Sequence, residues 1–333
     1  VVGDMLAPLG RLRETEALYR DALRRVGTAS PAADLHAGLA DLLVSRNELA
    51  EARQHLETSE ALHDVASSRE HRYRWFVAMA RLAQAEEDPD EALSLLDSAH
   101  RHYLRGFFPE ARPIGAQQAR VWIAQGRLAE ARAWAAQHQL TPSNESSYLR
   151  EFEHLTLARL MIAEHADPTT LLDRLLSEAD AAARTGSVIE ILVLQALAVP
   201  TSASGGTTLA ALERALELAE PEGQVRLFLD EGEAILGLLR AASAAGIRPE
   251  FVRKLTQQLR PGEPGGEVLA DPLSERELQV LRLLATELTG PDIAREIYVS
   301  LNTLRTHTRH IFQKLDVNSR PEAVRRAEAL GLI

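Results

Sequence analysis

The chain has 333 residues, enough for more than one buried core, and its 45% apolar and 26% charged residues are the proportions of an ordinary soluble protein. Its net charge of −11 argues against a general polyanion binder, and the absence of cysteine excludes disulfides, thiolate metal sites and cysteine nucleophiles. No secretory signal opens the chain, and its longest apolar run, 188–199, contains Glu190 and Gln195 and is far too short to span a bilayer, so a cytoplasmic protein without a membrane partner is expected.

Ala, Leu, Glu and Arg dominate, a mixture that favours helix. Lysine occurs only at 254 and 314, which with the alanine content points to a GC-rich bacterial genome. The first residues, Val-Val-Gly, include no initiator methionine, so a truncated piece of a longer protein is expected.

From the N-terminus a repeat is visible. Gly10-Arg-Leu-Arg-Glu-Thr, Asn47-Glu-Leu-Ala-Glu-Ala, Asp88-Pro-Asp-Glu-Ala and Gly126-Arg-Leu-Ala-Glu-Ala each place a turn former ahead of Glu-Ala or Glu-Thr. Their anchors Thr15, Ala52, Ala92 and Ala131 are 37, 40 and 39 residues apart. Helical stretches 35–43, 76–85 and 116–124 precede three of the turns. The physical reading is one helix pair per repeat: the turn former ends the first helix, the small anchor lets the second approach closely, and stacked pairs bury a shared core. The spacing resembles tetratricopeptide repeats with lengthened loops. A generic helical bundle is the alternative, and both are all-α. Trp75, Trp122 and Trp134 are expected to pack between repeats, the alternative being a concave effector pocket.

Between 148 and 198 the pattern stays helical while the repeat blurs. Residues 201–206 read as a loop, 208–220 as a helix stopped by Pro221-Glu-Gly223, and a further helix runs to about Ala245. Pro261-Gly-Glu-Pro-Gly-Gly266 is the clearest linker. The expected organisation is a repeat domain at 1–250, a linker at 251–270 and a second domain at 271–333.

That last domain is neutral: residues 270–333 hold nine basic and nine acidic residues, so the rest of the chain carries the entire −11. Ser274 with Glu277 forms a capping box ahead of a first helix. Thr289, Gly290, Pro291 and Asp292 suit the start of a second. Ser300 caps a third, which Leu304, Ile311 and Leu315 bury, turning Arg305, Thr306, Thr308 and Arg309 outward. Ser319 caps a fourth. Four short capped helices with a three-residue break at 299–301 make a helix-turn-helix layout. The third helix offers long donors, short hydroxyls and no acid, which is what a DNA major groove accepts.

The segment Leu273-Ser-Glu-Arg-Glu, with Ile293-Ala294, Ser300-Leu-Asn-Thr303, His307, Ile311-Phe-Gln-Lys314-Leu315, Ser319-Arg320 and Ala323 at fixed spacings, resembles the LuxR/FixJ-type DNA-binding domain. The resemblance implies base reading by Arg305, Thr306 and Arg309. It implies phosphate contact or positioning by Ser300, Thr303, His307 and Lys314, and dimerisation through the last helix at Ala323, Val324 and Ala327. Glu287 stands where the family usually has Gly, Gly290 where Asn is common, Leu304 for Val and His310 for Asn. The first puts an acid near the expected DNA-facing loop. A second resemblance covers Ala211-Leu-Glu-Arg-Ala-Leu, Pro221-Glu-Gly-Gln-Val-Arg-Leu-Phe-Leu-Asp-Glu-Gly232 and Leu238-Leu239, and is to the region before the DNA-binding domain in large MalT-like regulators. It implies a transcription regulator whose partners are promoter DNA, RNA polymerase, further copies of itself and an effector, small molecule or protein, on the repeats.

A P-loop needs Gly-Lys-Ser/Thr, and neither lysine follows a glycine. No cofactor is therefore expected here, and ATP only for a domain upstream. His307 and His310 at i, i+3 lack a completing acid or cysteine for a metal, and no G-x-S-x-G elbow appears. The chain is expected not to be an enzyme. The alternatives are an interaction scaffold and the non-catalytic portion of an ATPase switch protein.

Overall fold

In the computed structural model the described residues are 9–27, 31–62, 69–103, 111–144, 147–199, 206–259, 275–286, 288–297, 299–315, 317 and 319–329. Among them there are eighteen α-helices and no strand. The 261–266 linker, the Ser274 cap and the Glu287 departure fall outside the described residues, as does all but the last residue of the 201–206 loop. The chain forms two compact units, Val1–Val252 and Arg253–Ile333.

In the first unit the helices run α1 (Leu12–Val26), α2 (Pro31–Ser45), α3 (Leu49–Ala61), α4 (Arg69–Ala85), α5 (Pro89–His102), α6 (Ile114–Ala124), α7 (Leu128–Gln137), α8 (Tyr148–Ala163), α9 (Thr169–Ala181), α10 (Thr185–Ala198), α11 (Gly206–Ala219), α12 (Arg226–Leu229) and α13 (Glu233–Ala244). Then α14 (Pro249–Leu259) crosses the boundary. Consecutive helices pack as hairpins, and the four anchors Thr15, Ala52, Ala92 and Ala131 are completely buried where the partners touch. A longer side chain there would hold the helices apart.

One backbone device ends eight of these helices. Asn47, Glu87, Gly126, Gln139, His165, Ala183, Gly223 and Gly246 all have positive φ. The N–H one residue further on returns to the carbonyl five residues back in each case, as in Glu48 to Leu43 at 2.9 Å and Arg184 to Ala179 at 2.9 Å. This Schellman closure satisfies carbonyls that the helix end would leave orphaned. Four of the eight positions are neither Gly nor Asn, so there the turn is held by the packing around it against a left-handed cost of about 1 kcal/mol. That is why the repeat blurs in the sequence beyond 148 while it persists in the backbone.

The first unit closes on itself. The backbone N–H of Arg13 donates to Glu222 at 2.9 Å, Gln224 donates to the Gly10 carbonyl at 3.4 Å, the Val225 N–H donates to the Ser45 carbonyl at 3.2 Å, and Arg226 donates to Asn47 at 3.2 Å. The tips before α1 and after α2 thus meet the segment before α12. Gly10 permits the approach: it has φ +78°, and a Cβ there would lie 2.9 Å from the Gly186 nitrogen.

The first helices of successive pairs face the interior. Asp41 on α2 pairs there with Arg81 on α4, and Arg120 on α6 and Arg159 on α8 both pair with Glu190 on α10. Arg159 bonds both Glu190 (3.0 Å) and Glu231. Burial alone would raise the Glu190 carboxyl, but Arg120 and Arg159 pull it from its ordinary 4.5 down to about 2. The stretch 251–259, expected to be linker, is helix, because Phe251, Val252 and Leu255 form one buried stripe, with Phe251 edge-on to Phe228 at 6.1 Å.

Glu190→Gln is expected to cost about 3–5 kcal/mol at neutral pH, because it leaves Arg120 without its carboxylate and Arg159 with Glu231 alone. A carboxyl lowered on folding stabilises above its unfolded value and loses that contribution as pH falls toward its folded value. The gap between wild type and variant in urea unfolding should therefore narrow as pH falls below 4.5 toward 2; a constant gap would contradict the assignment. Separately, Gly38→Ala would place a methyl 2.6 Å from the Tyr19 hydroxyl between α1 and α2. It should cost about 1–3 kcal/mol in the same assay, with a change under about 0.5 contradicting the close packing.

Candidate nucleic-acid interface

The second unit holds α15 (Glu275–Leu284), α16 (Gly290–Glu296), α17 (Leu301–Leu315) and α18 (Arg320–Ala329). Its core is Val280, Leu281 and Leu284 from α15, Ile293, Ala294 and Ile297 from α16 and its end, Leu304, Ile311 and Leu315 from α17, and Ala323 and Ala327 from α18. The buried positions of α17 recur at intervals of seven and four, so they mark one face of a helix. The opposite face carries Arg305, Thr306, Arg309 and His310, all exposed, with His307 and Thr308 half-buried at the margin. No acid lies on α17, and among the described residues Arg305 and Arg309 have no carboxylate partner. The helix therefore presents uncompensated cations to solvent.

At the start of α17 the Ser300 hydroxyl accepts from the Thr303 N–H at 3.1 Å and lies 2.8 Å from the Thr303 hydroxyl. Both residues are exposed. This cap leaves hydroxyls beside the positive end of the helix, where an anionic oxygen is favoured. The turn before it is tightened by the Val299 N–H, which bonds the Ala294 carbonyl at 2.9 Å. Thr289 does not cap α16 as expected. Its hydroxyl donates to Asp292, lowering that carboxyl below its usual range, and accepts nothing from the backbone.

Lys314 is placed apart from the other expected site residues. Its ammonium lies 3.0 Å from a carboxylate oxygen of Glu277, which is 6% exposed. The pair ties α17 to α15, so Lys314 holds the helix rather than projecting from it. Glu277, read from sequence as a capping acid, is the buried half of this pair, while its expected cap partner Ser274 lies outside the described residues.

The expected pairing residues need a correction. Ala323 and Ala327 have no exposed surface and belong to the unit's own core, where small side chains let α18 approach α15. Of the three, only Val324 reaches the surface, beside Thr286, Pro321 and Arg325.

Two arginines carry work that sequence reading did not assign. Arg320 donates to the carbonyls of Leu284 (2.8 Å), Thr286 (2.6 Å) and Leu288 (2.9 Å), capping the end of α15. Arg276 donates to the Ile297 carbonyl at 2.5 Å, closing the end of α16. One signal was available: Arg320 opens α18, and a cation at a helix N-terminus is unfavourable unless something else holds it.

Comparison with known proteins places the chain. Residues 1–245 match the family described as the MalT-like TPR region. The chain belongs to this family. Residues 271–327 match a second family, bacterial regulatory proteins of the luxR type. Among curated relatives, the HTH-type transcriptional regulator MalT of Vibrio campbellii (strain ATCC BAA-1116) is 26% identical over 238 residues, covering 63% of this chain and 26% of that protein. MalT of Yersinia pestis (strain Pestoides F) is 25% identical over 235 residues, with the same coverage. The match thus spans about a quarter of the length of these relatives. Among the described residues no helix is long and apolar enough to cross a membrane.

Arg320→Ala strips three carbonyls of a charged donor and should destabilise the second unit by about 2–4 kcal/mol. Amide exchange at 276–284 should rise. Arg320→Lys should not restore protection, because an ammonium lacks the planar fork that reaches several acceptors. Unchanged exchange in Arg320→Ala would show the clamp to be incidental.

Proposed function

We propose that this chain is the repeat and reader portion of a transcription regulator that binds double-stranded DNA sequence-specifically, with α17 lying in the major groove. The observation that carries this is the outer face of α17: acid-free, exposed, and armed with Arg305 and Arg309 one turn apart. An arginine at such a position can donate two hydrogen bonds to guanine O6 and N7, and Thr306 can offer a methyl to thymine. Ser300, Thr303 and His307 flank the helix start and its margin, where phosphates would lie. Lys314 acts by holding the reading helix against α15.

The luxR-family match and the MalT-like repeat match support the same reading. In it, the repeat array receives a signal and governs whether readers pair on a promoter and meet RNA polymerase. Pairing would use the exposed rim of α18 around Val324, since Ala323 and Ala327 are occupied within the unit. The neutral reader on an acidic array makes single-site affinity modest and strongly salt-dependent.

Arg305→Ala should weaken binding to a selected site by about 1–3 kcal/mol and relax base choice at one position, while leaving binding to unrelated DNA nearly unchanged. Competition binding on a set of single-base variants reads both effects. An equal loss on every sequence would mean that Arg305 only neutralises phosphate.

A further inference from the structure

Among the described residues, the interior ion pairs of the first unit do not balance. Positions 41, 81, 120 and 159 are spaced by 40, 39 and 39 residues, one on the first helix of each successive pair. Asp41 holds Arg81, and Arg159 bridges Glu190 and Glu231. Arg120 reaches the same Glu190 at 2.9 Å and the Thr156 hydroxyl at 3.0 Å. Asp230 is taken by Arg226, and Glu151 by Arg184 and Ser187.

One more cation enters this set. Arg112, just before α6, has no carboxylate partner among the described residues. Four guanidiniums, those of Arg81, Arg112, Arg120 and Arg159, therefore face the carboxylates of Asp41, Glu190 and Glu231. Arg112 is exposed to solvent, and Arg81, Asp41, Glu190 and Tyr148 lie near enough to act on its charge. Its guanidinium lies 5.9 Å from the Phe152 ring, and the Arg120 guanidinium stacks on that ring at 3.7 Å. Two cations thus flank one half-buried aromatic face, with the Thr156 hydroxyl nearby.

Burial lowers Arg120 to about 10, with Arg159 and Arg112 adding to the fall against Glu190. Burial and the neighbouring Arg81 likewise lower Arg112. Burial raises the Glu231 carboxyl against the pull of Arg159.

We infer that the interior of the repeat array is an effector site for a small organic anion, a carboxylate or a phosphate ester, gripped by Arg112 with Arg120 and Phe152 forming the wall. A guanidinium fork matches either oxyanion with two parallel hydrogen bonds, and a site short of one negative charge gains most from a ligand that brings it. The regulatory meaning rests on the reading of the array as the signal-receiving part, but the binding itself does not depend on DNA.

The test is calorimetric titration of the full chain with citrate and, in a separate arm, inorganic phosphate, at ionic strength fixed with sodium chloride. Thermal unfolding is followed in parallel. Saturable single-site binding of at least one probe is expected, with a rise in Tm. Arg112→Gln should weaken it tenfold or more, while Arg24→Gln on exposed α1 leaves it unchanged. Arg112 satisfies no carboxylate, so its loss should not lower the ligand-free Tm. If that variant nevertheless fails to fold, Phe152→Leu keeps the apolar volume and should weaken binding several-fold. Binding by citrate alone assigns a carboxylate ligand, and by phosphate alone a phosphate ester. No heat beyond the chloride control from either probe, or equal binding by Arg112→Gln, overturns the inference. DNA selection by the same preparation reports separately on the regulator reading, so either can fail alone.

Discussion

Arg159 sits between two carboxylates contributed 31 and 72 residues further along the chain. That arrangement is the constraint around which the repeat array is organised. A buried guanidinium cannot be left unpaired, so α8, α10 and the turn after α12 must keep one relative placement. The same placement presents the 222–226 segment to the tips at Gly10 and Asn47, and a row of helix pairs becomes a closed unit. Once closed, the first helices share one interior, and the charges they carry sense one another across long stretches of sequence. Their repeat period would otherwise be only a statistical regularity.

Much of this was legible in the residues. The anchors Thr15, Ala52, Ala92 and Ala131 announced a close helix contact at each repeat because only small side chains fit there, and all four are fully buried. The repeat faded in the sequence where Gln139, His165 and Ala183 adopt the left-handed turn. Such residues carry no turn signal, and the conformation is imposed by packing. The helix across 251–259 was hidden by its nearness to the Pro- and Gly-rich stretch, although the spacing of Phe251, Val252 and Leu255 is helical. The interior arginines were visible at a period of 39–40 residues, but an Arg in an array reads as surface until closure brings carboxylates to meet it.

In the reader the outward face of α17 was legible because it follows from amphipathicity alone: fixing Leu304, Ile311 and Leu315 inward fixes Arg305 and Arg309 outward. The role of Lys314 was not, since its partner Glu277 lies 37 residues away on another helix. Ala323 and Ala327 were ambiguous for a different reason. Small residues permit close approach to a second copy or to the same domain, and only the packing of α18 on α15 separates the two. On the proposed reading, then, the chain divides its labour by burial. Exposed unpaired cations address DNA, paired cations hold helices, and the half-satisfied Arg112 is left to the effector.

The central claim is that α17 reads sequence. Its most direct test is selection by the full chain from a pool of random duplexes at physiological salt, followed by sequencing. The account predicts enrichment of a motif built from two half-sites with centres about 10 bp apart, or a multiple of that, reflecting paired readers on one side of the duplex. Recovery of bound duplexes with no motif enriched at that salt would contradict it.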